Sequence, residues 1–107
     1  MGRYITTTGT SGSVNRTVST TYSALVNDRI LCTAGGFTIT LPSAASCIDG
    51  DTIQILDLTG VFGTNNVTVA RNGANIQNLA QDLTLNINNA SITLLYTVSY
   101  GWIIAGK

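Results

Sequence analysis

Apolar and polar residues alternate with a period of two along most of this chain, and that alternation predicts strands. Phe37, Ile39 and Leu41 alternate with Thr38 and Thr40, so their apolar side chains share one face. Pro42 ends this strand, because proline has no N–H to give a ladder. Asp49-Gly50 then supplies a turn, and Thr52 to Asp57 begins a second strand, with Ile53 and Ile55 on one face and Thr52, Gln54 and Leu56 on the other. Before this unit, Val18, Thr20, Tyr22, Ala24 and Val26 alternate up to the turn signal Asn27-Asp28. Arg29 to Cys32 reads as a short strand, and Ala34-Gly35-Gly36 predicts a hairpin corner leading into Phe37. After the unit, Val67 and Val69 alternate with Thr68 and Ala70 up to Asn72-Gly73, a strong hairpin signal that places Ile76 and Leu79 on the return. Leu83, Leu85 and Ile87 follow, then the turn Asn88-Asn89. The longest strand sets Ile92, Leu94, Tyr96 and Val98 against Ser91, Thr93, Leu95, Thr97 and Ser99. Tyr100-Gly101 turns it, and Trp102 to Ala105 closes the chain.

No segment keeps a helical period over three turns, and β-branched residues dominate the apolar positions. About eight short strands, spaced roughly ten residues apart, predict an all-β fold: an antiparallel β-sandwich or jelly-roll-like barrel with an extended N-terminal arm. The expected division is an arm over 1–18 and a single β-sandwich domain over 19–107. In the arm, Thr6 to Ser13 offers small polar residues and two glycines, with little apolar area to offset the entropy of ordering. Arg3, Tyr4 and Ile5 form a compact tip suited to anchoring on a neighbour. Leu56, Leu95 and Ile103, together with Leu31 or Ile30, occupy the nominally outer faces of their strands. Leu56, Leu95 and Ile103 are therefore the candidate oligomer interface.

The chain has 107 residues, enough for one core. Five basic residues balance five aspartates, and only 9% of residues are charged, against roughly a quarter in ordinary soluble domains. A surface of Thr, Asn and Ser suits a protein that spends its life in contact with others, where desolvating charge is costly. No basic stripe offers a nucleic-acid footprint, and no apolar run approaches the roughly 20 residues of a membrane span. Met-Gly-Arg-Tyr-Ile-Thr at the start fits the short N-myristoylation pattern, which is brief enough to arise by chance.

With no His and no Glu in the chain, a general base near neutral pH would have to be a perturbed aspartate or a thiolate. Triads lack their imidazole, and the glycines do not fall in a phosphate-cradling pattern. Asp49, Asp51 and Asp57 lack the remaining spaced ligands of a calcium loop. Cys32 and Cys47 cannot close a zinc site without further ligands, and they read as small buried hydrophobes, with a disulfide as the alternative. The expectation is a protein with no catalytic residues, no cofactor and no metal.

The succession Ile-Thr-Leu-Pro (39–42), Asp-Gly-Asp-Thr-Ile-Gln-Ile-Leu-Asp (49–57), Thr-Asn-Asn-Val-Thr-Val (64–69), Asn-Gly-Ala-Asn-Ile (72–76), Ile-Thr-Leu-Leu-Tyr (92–96) and Gly-Trp-Ile-Ile (101–104) resembles a β-rich module of tailed-bacteriophage virion proteins. Such modules occur in tail fibres, head fibres and capsid decoration proteins, and the likeness spans about residues 20 to 105. It implies a homotrimer with a structural or attachment role, located in the virion after assembly in the host cytoplasm, and in contact with the major capsid protein or another virion protein. No helical or repetitive shaft precedes the strands, which favours a decoration (cement) protein over a tail-fibre or receptor-binding tip. A carbohydrate-binding module, with Trp102, Tyr100, Tyr96 and Tyr22 as stacking residues, is the competing reading from another class.

Overall fold

The computed structural model describes residues 13–107. Among the described residues nine strands run in the order β1 (Val14–Val18), β2 (Tyr22–Ser23), β3 (Asp28–Cys32), β4 (Thr38–Thr40), β5 (Thr52–Asp57), β6 (Val67–Ala70), β7 (Leu83–Leu85), β8 (Ser91–Thr97) and β9 (Gly101–Gly106). Helical structure among the described residues is confined to one 3-10 turn, Ala44–Ser46. The strands form two sheets, one of five in the order β1-β3-β5-β8-β9 and one of four in the order β2-β4-β6-β7. The fold is all-β, as the alternation predicts.

The expected antiparallel pairing holds for only part of it. From β1 to β6 the chain alternates between the two sheets, so each strand's neighbour within a sheet is the next strand but one in the sequence. Each return to a sheet has already crossed to the other and come back, so the strands arrive pointing the same way. β1-β3, β3-β5, β2-β4 and β4-β6 are accordingly parallel, with Ile30 beside Ile55 and Ile39 beside Val69. Among the described strands, β5-β8, β8-β9 and β6-β7 are the antiparallel pairs.

Three sequence expectations change with this topology. The Ala34-Gly35-Gly36 corner carries the chain from one sheet to the other instead of folding β4 back on β3. Glycine is required there because a Cβ at Gly35 would collide with the Asn65 carbonyl oxygen. Asn72 and Gly73 both take the positive φ expected of them, 51° and 92°. The chain after that turn nevertheless leaves β6, and Ile76 makes a parallel bridge to Trp102 while Leu83–Leu85 becomes the partner of β6. Val14–Val18, assigned to the arm, is instead the edge strand of the five-stranded sheet, paired in register with Asp28–Cys32. The boundary at 18 therefore lies five residues inside the sheet system, and Arg3, Tyr4 and Ile5 lie outside the described residues.

Both sheets contribute to one core. Ile30, Cys32, Ile53, Ile55, Leu94 and Trp102 from the first sheet cluster with Ile39, Val67, Val69 and Leu85 from the second, and Phe62 enters from a loop. Tyr96 and Trp102 meet edge to face with ring centroids 5.2 Å apart, an arrangement favoured by the ring quadrupoles. Trp102 is fully buried, which settles its side chain in the core.

Candidate functional site

The outer face of the five-stranded sheet carries the predicted interface residues, and the register decides which of them meet. Leu95 lies directly opposite Ile103, and both are half-buried. Leu56 lies opposite Ser91, whereas Leu95 lies opposite Thr52, four residues away along β5 and so about 13 Å distant along the strand. Leu56 joins Leu31 instead, its parallel partner on β3, while Ile30 points into the core. The face thus has two apolar pairs, Leu31–Leu56 and Leu95–Ile103. Between them runs a polar row in which the Arg29 Nε donates to Gln54 Oε1 at 2.7 Å and the Gln54 amide approaches Thr93 Oγ1 at 3.5 Å.

Two buried carboxylates, on the opposite face of the same sheet, are occupied by structural bonds. Asp28 accepts from Arg16 Nε at 3.2 Å, from the Tyr22 hydroxyl at 2.6 Å and from the Leu25 amide at 2.9 Å, tying together β1, β2 and the loop before β3. Burial, followed by the hydrogen bond to Asp28 and its charge, pushes the Tyr22 hydroxyl up to about 12. Asp57 accepts from the Gly60, Phe62 and Asn89 amides at 2.9, 3.0 and 2.9 Å. Burial alone would raise its carboxyl, but the converging N–H dipoles outweigh that and hold it below the usual carboxylate range. Donors hold Asp57 ionised, and both carboxylates have their oxygens engaged by structural bonds.

Asp49, Asp51 and Asp57 are not brought together. Asp49 accepts from the Val98 amide at 2.6 Å and Asp51 from the Ile48 amide at 2.9 Å, while Asp57 lies at the far end of β5. Among the described residues no three His, Cys, Asp or Glu side chains are grouped to hold a metal ion. Cys32 and Cys47 are both free, so the disulfide alternative falls. Burial and the nearby Asp57 charge push the Cys32 thiol up to about 12, and burial and Asp51 raise Cys47, which leaves little thiolate for nucleophilic work at neutral pH.

Sequence reasoning missed a second apolar feature. Val14, Leu25, Ile48, Val98 and Tyr100 are exposed, and all lie along one rim, where β1, β3 and β5 begin and the β8–β9 turn sits. Hydrogen bonds from Val14 N to Asn27 O, Asn27 N to Thr52 O and Tyr96 N to Asp51 O fix these segments side by side. The turn residues were assigned by their bending role alone, and parallel registration of three strand starts has no local signature. Of the four aromatics considered for stacking, Trp102 and Tyr96 are buried, Tyr22 is half-buried against Asp28, and Tyr100 is 63% exposed. Among the described residues no helix is long and apolar enough to cross a membrane. In comparisons with known proteins, the chain matches no family model and no curated sequence.

Proposed function

We propose that this protein is a non-enzymatic structural component of a tailed-bacteriophage virion: a homotrimeric capsid decoration protein whose two sheets pack as a β-sandwich. The observation that carries the proposal is the pair of apolar contacts outside the core, Leu31–Leu56 and Leu95–Ile103, on a chain with only 9% charged residues. Two unlike patches on one face suit a head-to-tail contact around a three-fold axis, in which the Leu95–Ile103 patch of one protomer covers the Leu31–Leu56 patch of the next. The succession of segments that resembles phage β-modules supports the virion setting. The absence of His and Glu from the sequence, and the engagement of Asp28 and Asp57 by structural donors, support a role without catalysis. Arg3, Tyr4 and Ile5 are the proposed anchor to the major capsid protein.

Electron cryomicroscopy of virions assembled with and without this protein tests the proposal. The expected result is three-fold density on the head surface that disappears from particles lacking the protein, together with heads that rupture at lower temperature. Unchanged head density in those particles would overturn the decoration role, and density lost from the tail tip would favour the fibre reading.

A further inference from the structure

A cleft of about 270 Å³ opens beside the apolar rim, bounded by the turn after Asn72, the β8–β9 turn and Ala44. Its walls present Asn75, Ser99, Tyr96 and Tyr100, with main chain from Gly73 and Gly101, and no charged side chain lines it. The site is rigidly built. Tyr100 N donates to Thr97 Oγ1 at 3.1 Å, Thr97 Oγ1 donates to Gly101 O at 3.0 Å, and the Val98 amide is held by Asp49. On the opposite wall, Trp102 N donates to Asn75 O at 2.9 Å. The two main chains approach so closely that a Cβ on Gly101, whose φ is 73°, would stand 2.6 Å from the Asn75 oxygen. Tyr100 is thus a strongly exposed aromatic ring on a pinned turn, at the mouth of a polar, uncharged recess.

We propose that this cleft binds a neutral saccharide, with one pyranose ring packed on Tyr100 and its hydroxyls hydrogen-bonded to Asn75 and Ser99. An uncharged wall offers nothing to pair with an ionic ligand, while amide and hydroxyl groups match a ligand whose polarity is all hydroxyl. The volume lies just below the roughly 300 Å³ at which drug-sized sites begin, so it accommodates one sugar ring. The aromatic ring supplies apolar contact at low entropic cost because the turn is already fixed. The inference stands on the cleft alone and does not depend on the virion role.

The test is an amide NMR titration of the full chain with glucose, galactose, mannose and N-acetylglucosamine, each to about 50 mM, a range that detects millimolar affinity. The expected result is saturable shifts from at least one sugar, confined to residues 73–75 and 98–101. Tyr100→Ala should weaken them at least about tenfold with an unchanged melting temperature, Ser99→Ala should weaken them less, and Tyr22→Phe should leave them intact. No shift with any of the four sugars, shifts elsewhere, or shifts that survive Tyr100→Ala would overturn the proposal. An unresponsive cleft in an oligomer that Tyr100→Ala dissociates would mean that a second copy of the chain is the occupant.

Discussion

The half of the molecule wound in parallel, β1 to β6, and the antiparallel half, β7 to β9, use the same alternation of apolar and polar residues but bury different chemistry. In the parallel half, Asp28 and Asp57 sit on the core face, Asp28 receiving the Leu25 amide and Asp57 the Gly60 and Phe62 amides of their connecting loops. In β8 and β9 the buried residues are Ile92, Leu94, Tyr96 and Trp102. The difference follows from the connections. A crossing between sheets leaves amides without a ladder partner, and at these two connections a buried carboxylate accepts from them. In the β8–β9 turn Thr97 Oγ1 accepts from the Tyr100 amide and the exposed Asp49 carboxylate accepts from the Val98 amide, so no core-face carboxylate is engaged there. The β2–β3 and β5–β6 connections thus each engage a buried carboxylate, and the β8–β9 turn does not.

The strongest way to break this contrast is Trp102→Ala. Removing the largest side chain of the antiparallel half, with its edge-to-face partner Tyr96, should cost about 3–5 kcal/mol by urea unfolding. A loss under about 1 kcal/mol would show that the apolar half is not packed as described. Asp57→Asn addresses the other half. It keeps the shape but removes the charge that three amides address, and should cost about 2–3 kcal/mol.

The same variant sharpens the pH dependence. The folded carboxyl lies below its unfolded value, so its contribution is present above about pH 4 and is lost as pH falls through the depressed value. Wild type should therefore lose stability in acid more steeply than Asp57→Asn, and equal slopes would contradict the assignment. At the alkaline end the sign reverses. Tyr22 and Cys32 are raised to about 12, so the stability they confer is complete below their unfolded values and is lost as pH climbs towards 12. Tyr22→Phe should cost about 1–2 kcal/mol at neutral pH by removing the 2.6 Å bond to Asp28, and should soften the alkaline loss.

Much of the contrast could be read from residue parity. Ile53 and Ile55 place Asp57 on the core face of its strand, and Ile30 and Cys32 do the same for Asp28, so both buried carboxylates follow from the alternation once it is extended by one step. Asp28 falls in the Asn27-Asp28 turn signal and Asp57 at a strand end, positions where a carboxylate is ordinarily solvated. Most strand positions from β3 onward, the stop at Pro42 and the positive φ of Asn72-Gly73 are legible because each is a local property of backbone and side chain, whereas Val14–Val18 and the break after it are not. Strand order was not. Whether Gly35-Gly36 folds a hairpin or crosses to another sheet depends on Asn65, which lies thirty residues further along and packs against the corner. For the same reason Leu56 and Leu95 seemed one cluster, and only the β5–β8 register separates them.

The smallest effect on a single folded chain is expected from Leu95→Asp, because a half-exposed position outside the core typically moves stability by less than about 1 kcal/mol. Its effect on assembly should be large. Multi-angle light scattering of the full chain at micromolar concentration therefore tests the central claim most directly. Three chains of 11.2 kDa should scatter as about 34 kDa, and Leu95→Asp should shift that mass towards a single chain. A wild-type protein that remains at 11.2 kDa across the concentration range would contradict the proposed trimer and the role assigned to the outer face of the five-stranded sheet.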